Sequence, residues 1–230
     1  MRRLFSIAVL ALTLLSAVRP ARAAWPHDPK VNLPVTTPTG TGQYVFGSGR
    51  VEAVSDGQGG IICFWDAFTS TDNIRAQRID ATGNRLWGDS GVLVQSGTLI
   101  QQFALSAVAD GSGGAVLAWQ DPRNGTQDVY AQRLDANGSL LWGAGGVAVC
   151  TASGDQTDVR LVSDGSGGAW IVWTDGRVGG STDIYARRVN GAGTPQGVAN
   201  GIAVCTAAGN QDSPRITSLI GLSGCAFVWK

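Results

Sequence analysis

The chain has 230 residues with 17 basic and 17 acidic side chains, and 43% of its residues are hydrophobic. This composition supports a folded core and excludes an intrinsically disordered chain. The 33 glycines argue against long helices and coiled coils. The single histidine, His27, argues against histidine-rich metal sites and against a His-dependent catalytic triad.

The N-terminal segment has the pattern of an export signal. Arg2 and Arg3 precede an apolar run over 4–18, and Ala21-Arg22-Ala23 is a small-x-small cleavage site. We expect a signal peptide over 1–23 that is cleaved after Ala23, a short leader over 24–30, and release into the periplasm, the cell surface or the extracellular space. The arginine pair leaves general secretion and twin-arginine export both open.

The remaining chain has no later apolar run of the ~20 residues that a membrane span needs, so we expect no integral membrane span. Without residues 1–23, 13 basic groups face 17 acidic groups. A net negative charge disfavours nucleic acid as a partner. The expected partner is instead a glycan or a protein.

An internal repeat organises the rest of the sequence. Val54–Gly60 returns as Val108–Gly114 and again as Val162–Gly168, at a constant interval. A tryptophan follows each copy and a fourth, eroded copy; these structural tryptophans are Trp65, Trp119, Trp173 and Trp229. We divide the chain into repeat 1 (31–88), repeat 2 (91–143), repeat 3 (146–197) and a partial repeat 4 (201–230).

Each repeat has the pattern of four short strands. In the third copy these are Val147 to Cys150, Val159 to Ser163, Ala169 to Trp173 and Asp183 to Val189, the last with the alternation of an outer strand. Four-stranded repeats of about 54 residues predict an all-β fold, a β-propeller of four-stranded blades. We expect it to be incomplete, because the fourth unit lacks the counterpart of Asp183 to Val189. Open blade edges predict self-association or further blades.

Two blade motifs resemble known repeats. Ser163-Asp164-Gly165, followed by Trp173 to Arg177 and by Asp183-Ile184-Tyr185, resembles the WD40-like repeat of periplasmic TolB-type propellers. The second copy matches through Asp121-Pro122-Arg123 and Val129-Tyr130. The first copy matches only in part, because it has Ala67-Phe68-Thr69 and Ile74-Arg75 there.

At the blade edge, Val129 to Trp142 and Arg78 to Trp87 are similar to the repeats of quinoprotein-type propellers, which include noncatalytic envelope scaffolds. In the third copy Gln196 replaces the tryptophan, so we expect a tryptophan girdle to be interrupted there. Fewer than four blades and no ligand cluster argue against a quinone, and we expect no cofactor. The layout over 31–230 most resembles secreted bacterial β-propeller repeat proteins of unknown function, which implies a fold and no activity.

Three repeated aspartates occupy the glycine-rich turns. One carboxylate per loop falls short of the six to eight oxygens that calcium takes, so we interpret them as structural turn residues and expect no metal site. These residues are Asp56, Asp110 and Asp164.

Repeated arginines are the first binding candidates. Arg78, Arg133 and Arg188 recur once per repeat and would form a cationic ring for a sugar carboxylate or a phosphate. The alternative is structural pairing with Asp128 and Asp183, or with Asp121 and Asp175. The loop residues after the structural tryptophans are further candidates: Asp121, Arg123, Asp175 and Arg177.

The four cysteines are interpreted as buried free thiols by default. Cys150 and Cys205 occupy the same place one repeat apart, too far for a bridge unless both lie near the axis, while Cys63 and Cys225 lie in apolar strands. Export into an oxidising space leaves disulfides open.

The leading functional hypothesis is a secreted, noncatalytic binding or scaffold propeller. The alternative is a glycan-processing hydrolase of sialidase-like propeller type, since a Ser-Asp-x-Gly turn before a tryptophan strand resembles the aspartate boxes of those enzymes. A hydrolase needs two convergent carboxylates, whereas these acids recur repeat by repeat, so no catalytic residue is assigned. Glu52, the only glutamate, offers a mutational test of the alternative.

Overall fold

The computed structural model describes residues 35–36, 51–68, 72–96, 105–219 and 224–230. Within these ranges the chain is all-β and contains no helix, which confirms the all-β part of the predicted fold. It follows that no described helix is long and apolar enough to cross a membrane. The predicted export signal over 1–23 and the leader over 24–30 lie outside the described residues.

The described strands form three four-stranded antiparallel sheets and one two-stranded sheet, and in every sheet they pair in chain order. Sheet I contains β1 (Glu52–Ser55), β2 (Ile61–Phe68), β3 (Asp72–Ile79) and β4 (Val92–Ser96). Sheet II contains β5 (Ser106–Ala109), β6 (Ala115–Asp121), β7 (Asp128–Leu134) and β8 (Val147–Cys150). Sheet III contains β9 (Gln156–Ser163), β10 (Ala169–Asp175), β11 (Asp183–Val189) and β12 (Ile202–Cys205). Sheet IV contains β13 (Arg215–Ser218) and β14 (Cys225–Val228).

The grouping of strands into sheets is shifted by one strand from the grouping expected from the sequence. Val147–Cys150 was expected to open the third unit, but as β8 it pairs with β7 and closes sheet II. The reason is local: Leu141 N donates to Arg133 O at 2.8 Å, so the chain turns back onto β7 before β8 begins. Likewise β12 closes sheet III, so β11 is an inner strand and not the outer strand that its alternation suggested.

The repeated Asp-Gly-x-Gly-Gly segments are tight hairpin turns. In sheet III, Asp164 N donates to Gly168 O at 3.1 Å, which closes the turn between β9 and β10. Gly165 and Gly167 have φ of +75° and +77°, which glycine adopts without strain. A Cβ on Gly168 would lie 2.3 Å from Val189 O, so a side chain cannot fit there. The turn glycines therefore allow β10 to start directly against β11.

The hydrophobic core lies between consecutive sheets, which pack face to face. Trp119 joins Phe64 in the cluster between sheets I and II, and Trp173 joins Val116 in the cluster between sheets II and III. A smaller cluster between sheets III and IV includes Ile184 and, at its edge, Phe227. Because successive side chains of β6 point to opposite sheets, both of its faces are buried, which explains its unbroken apolar run.

The first strands of the sheets also contact one another in order: β1 with β5, β5 with β9, and β9 with β13. The same contact between first strands therefore relates each sheet to the next one along the chain.

Candidate functional site

Each turn aspartate is held by its own turn and by an arginine of the same sheet. Asp110 Oδ1 accepts hydrogen bonds from Ser112 N at 2.7 Å and Gly114 N at 2.9 Å, and its Oδ2 accepts from Arg133 Nη2 at 2.8 Å. Sheets I and III repeat the ion pair as Arg78–Asp56 and Arg188–Asp164, at 3.0 and 2.8 Å. All three acids therefore serve both the turn and the arginine.

The pKa values of two of these carboxyls follow from this geometry. Burial alone would raise the pKa of Asp56 and of Asp164. Hydrogen bonds from turn amides and from the paired arginine outweigh burial, so both pKa values lie below the ordinary range. Both groups are anionic at neutral pH.

The arginine partners differ from those that the sequence suggested. Arg133 pairs with the turn aspartate of its own sheet, and not with Asp128 or Asp121. Arg133 lies opposite Val116, at the end of β7 next to the turn, whereas Asp128 begins β7 at its far end. Sheet III has the same arrangement. Arg188 lies near the turn between β9 and β10, whereas Asp183 and Asp175 face each other at the far end of β11 and β10.

The arginines also join neighbouring sheets. Arg78 Nη1 and Trp87 Nε1 of sheet I both donate to the Ala136 carbonyl of sheet II, at 2.9 and 3.2 Å. We call this carbonyl with its two donors a latch. The latch between sheets II and III consists of Arg133, Trp142 and Gly191, with both distances 3.2 Å.

Buried glutamines position the latch tryptophans. Gln132 is fully buried, and its side chain accepts from Trp142 N at 2.9 Å and donates to Gly143 O at 2.6 Å. In sheet III the corresponding residues are Arg187 and Gln196, and Gln196 Nε2 donates to Thr194 O within its own sheet. Sheet III thus presents a different edge toward sheet IV.

A cleft of about 420 Å³ lies where sheets III and IV meet. The Arg188 side chain lines it and is 38% exposed, compared with 7% for Arg78. Trp170, half-buried, lines the same cleft together with Ser166 and Ser218. An aromatic ring can stack on a ligand, and a guanidinium and two hydroxyl groups can hydrogen-bond to it.

The loop candidates form a second cluster. In sheet II, Asp121 Oδ2 accepts from Trp119 Nε1 at 2.8 Å and from Arg123 Nη2, and the Arg123 guanidinium lies 3.8 Å from the centre of the Tyr130 ring. Sheet III repeats this quartet with Trp173, Asp175, Arg177 and Tyr185. Each quartet is closed within one sheet, so its charged groups already have partners.

A second carboxylate lies across the strand pair from each quartet aspartate. Asp121 is opposite Asp128, and Asp175 is opposite Asp183. Burial, followed by the charge of Asp121, raises the pKa of Asp128, although Asn124 donates a hydrogen bond to it. Burial also acts to raise the pKa of Asp121, but hydrogen bonds from Arg123 and Trp119 outweigh it and lower that pKa. The two pKa values of the pair therefore move apart.

Sheet I departs from this arrangement. The sign of this departure in the sequence was that the first repeat matches the blade motif only in part. Trp65 is buried like Trp119 and Trp173, but its Nε1 has no hydrogen-bond partner among the described residues. Trp229, after β14, is 41% exposed. The four structural tryptophans therefore have three different environments.

The four cysteines are free thiols in the structure, with Cys63 and Cys150 buried and Cys205 and Cys225 half-buried. Burial raises the pKa of Cys150 to about 11, although Arg177 Nη2 lies 3.5 Å from its sulfur. A thiol with this pKa is protonated at neutral pH and is a poor nucleophile. Over the described ranges, no group of three or more His, Cys, Asp or Glu side chains is arranged to hold a metal ion.

Comparison with known proteins does not assign the chain to a family. No protein-family model matches it. A search of the curated proteins also found no match.

Proposed function

We propose that the chain is an exported β-propeller that acts as a noncatalytic binding or scaffold module for a glycan or a protein. Three features support the propeller: each four-stranded sheet is an antiparallel meander, consecutive sheets pack face to face, and their first strands contact one another in order. Sheets I to IV would then be blades, with β1, β5, β9 and β13 nearest the axis.

The observation that carries the scaffold role is the repeated latch. Arg78 and Arg133 recur at the interval of the repeat. The guanidinium of each donates to a turn aspartate and to a carbonyl of the next sheet. A repeated cationic ring for a ligand would leave these guanidinium groups facing solvent. The repeated charges instead stabilise the stacking of sheets, as a scaffold requires.

The ligand surface that we propose is the cleft between sheets III and IV. Arg188 there donates to Asp164 alone among the described residues, and more than a third of its side chain is exposed. Trp170 provides an aromatic surface beside it. A sugar ring stacked on Trp170 with hydroxyls or a carboxylate toward Arg188 fits these groups.

The test is a binding screen against immobilised neutral and acidic oligosaccharides, followed by titration of any that bind. We expect Trp170→Ala and Arg188→Gln each to weaken binding about tenfold or more, the loss of one stacking or charge-assisted contact. Arg85→Gln is the matched control, because it removes one positive charge from a residue of sheet I that does not line the cleft. Equal weakening in the control, or no binding to any member of the panel, would contradict the glycan assignment and favour a protein ligand.

A glycan-processing hydrolase of sialidase-like type is the second candidate, and the divergent pKa values of Asp121 and Asp128 favour it, since an acid and a base differ in this way. Both carboxyls are at most 2% exposed, which keeps a substrate away from them. Proton NMR of oligosaccharides incubated with the protein would reveal cleavage. Cleavage that Asp128→Asn or Glu52→Gln abolishes would replace the binding proposal.

A further inference from the structure

Sheet I lacks the carboxylate that sheets II and III hold between a tryptophan and an arginine. In sheet II the Asp121 carboxylate accepts from Trp119 Nε1 at 2.8 Å and from Arg123 Nη2. The residue at that place in sheet I is Ala67, which is fully buried. The acceptor is therefore missing from this position, while the buried tryptophan, Trp65, is kept.

Trp65 retains a donor that meets no acceptor in the described part of the chain. The side chain is 6% exposed, and its Nε1 is buried without a hydrogen-bond partner there. A buried indole N–H normally has a partner, and leaving it unpaired costs free energy. The nearby carboxylate of Asp66 cannot take this place, because successive side chains of β2 project from opposite faces.

Arg75 brings a guanidinium to the same region from a different strand position. It lies opposite Trp65 in the pairing of β2 with β3, where sheet II has Tyr130 opposite Trp119. Its Nη1 donates to Ser90 O at 3.1 Å. None of the ion pairs among the described residues involves Arg75.

The acceptor of Arg75 shows that its guanidinium matches that of Arg123. Gly145 occupies the place of Ser90 one repeat later, and Gly145 O accepts from Arg123 at 3.2 Å. In sheet III the corresponding carbonyl, that of Asn200, accepts from Arg177 Nη2 at 2.8 Å. All three guanidinium groups therefore reach the same turn.

We propose that Trp65 Nε1 and the Arg75 guanidinium bind a small carboxylate, which takes the place that an aspartate side chain fills in sheets II and III. A positive charge and a buried donor, both without an anionic partner among the described residues, recognise this ligand chemistry. Arg75 is half-buried, so the ligand enters from its side of the site. The proposal does not depend on the propeller or on its cleft.

Formate is the probe, and the indole ¹H–¹⁵N resonance of Trp65, assigned with Trp65→Phe, is the readout. We expect a saturable shift of this resonance and a thermal midpoint that rises with formate at constant ionic strength. Arg75→Gln should weaken formate binding about tenfold or more. Arg85→Gln, the matched loss of charge in the same sheet, should leave it unchanged. A parallel titration with glucuronate distinguishes a sugar acid from a free small carboxylate. The sugar ring can enter only if the site is open beyond Arg75.

The decisive variant is Ala67→Asp, which supplies the missing carboxylate from the chain itself. It should raise the thermal midpoint without formate and abolish the formate response. Three results would overturn the proposal: a Trp65 resonance that formate does not move, a response that Arg75→Gln and Arg85→Gln share, or an Ala67→Asp variant that still responds like the unaltered protein.

Discussion

Aspartates in different positions of the repeat have opposite effects on stability. Asp56 and Asp164 accept hydrogen bonds from turn amides and an arginine, which lowers their pKa values. Burial and the charge of Asp121 raise the pKa of Asp128, and the hydrogen bond from Asn124 does not offset them. The first two stabilise the fold as anions, whereas Asp128 destabilises it when ionised.

Asp128→Asn should therefore stabilise the protein at neutral pH. The amide keeps an oxygen for Asn124 and removes the negative charge opposite Asp121. We expect a rise of about 2–4 °C in the thermal midpoint, corresponding to roughly 1 kcal/mol for a chain of this size.

The pH dependence of that gain has a definite sign. The pKa of Asp128 is higher in the folded state than in the unfolded chain, so ionisation of this carboxyl destabilises the fold at neutral pH. The loss of stability decreases as the pH falls and disappears near 3.8, the pKa of the carboxyl in the unfolded chain. Thermal melts across this window, with Asp89→Asn as the exposed control, test the argument. A variant that gains as much below pH 3.8 as at neutral pH would refute it.

Two tryptophans at equivalent places in the repeat differ in burial and therefore in their expected contribution to stability. Trp173 is fully buried and donates to Asp175, whereas Trp229 is 41% exposed. Trp173→Ala should lower the free energy of unfolding by about 3–5 kcal/mol, and Trp229→Ala by less than about 1 kcal/mol. Chemical denaturation measures both; similar losses for the two variants would show that the environments do not differ in solution.

At the scale of elements, the latch connects one sheet to the next through few atoms. Trp142→Phe keeps an aromatic ring but removes the hydrogen bond to Gly191 O together with the contacts of the five-membered ring. We expect a loss of about 1–3 kcal/mol in the free energy of unfolding. The neighbouring Leu141, 45% exposed, provides the control, and Leu141→Ala should change stability by less than about 0.5 kcal/mol. An unchanged Trp142→Phe variant would mean that the latch hydrogen bond adds nothing to the stacking.

The strands themselves were predictable, but their grouping was not. Val147–Cys150 was expected as a strand and is a strand, because a short apolar run between glycine turns carries that signal. Which neighbour such a strand joins depends on whether the intervening loop turns back or crosses over. That choice rests on hydrogen bonds such as Leu141 N to Arg133 O, which no periodicity reveals.

The site residues show the same division. The sequence identified the repeated Arg133 and Asp110, yet it suggested other acids as partners of the arginine, because separation along the chain was a poor guide to distance across the turn. It noted that Ala67 and Arg75 break the repeat, but the shared turn contact of Arg75 and Arg123 emerged only from side-chain geometry.

At the scale of the whole molecule, sheet IV has two described strands, whereas sheets I to III have four each, so β14 lies at an edge where the other sheets add a third strand. In the described part of the chain β14 pairs with β13 alone, and Val228 is 64% exposed. Exposed strand edges pair with other chains. We expect the 230-residue protein to associate as its concentration rises.

Val228→Lys should reduce this association, because a charge on an edge strand opposes pairing. Val198→Lys is the control: Val198 is equally exposed, at 65%, but lies between β11 and β12. Light scattering over a concentration series measures both. A monomer at all concentrations, or equal effects of the two lysines, would contradict the role of β14.

Export is the other whole-molecule prediction, and it concerns residues outside the described ranges. Mass spectrometry of protein recovered from the native host should show a chain that begins at Ala24, after the Ala-Arg-Ala site. A retained leader would contradict it.

Pairing in chain order has a consequence for how the molecule is made. Every hydrogen-bonded pair among the described strands joins neighbours along the chain, so no sheet has to wait for a distant segment. Short-range pairings of this kind close small loops and favour rapid folding. Sheet I can therefore assemble on the ribosome once Ser96 has emerged, and each later sheet can condense on the finished surface of the one before it. Synthesis from the N-terminus then sets the order in which the latches close.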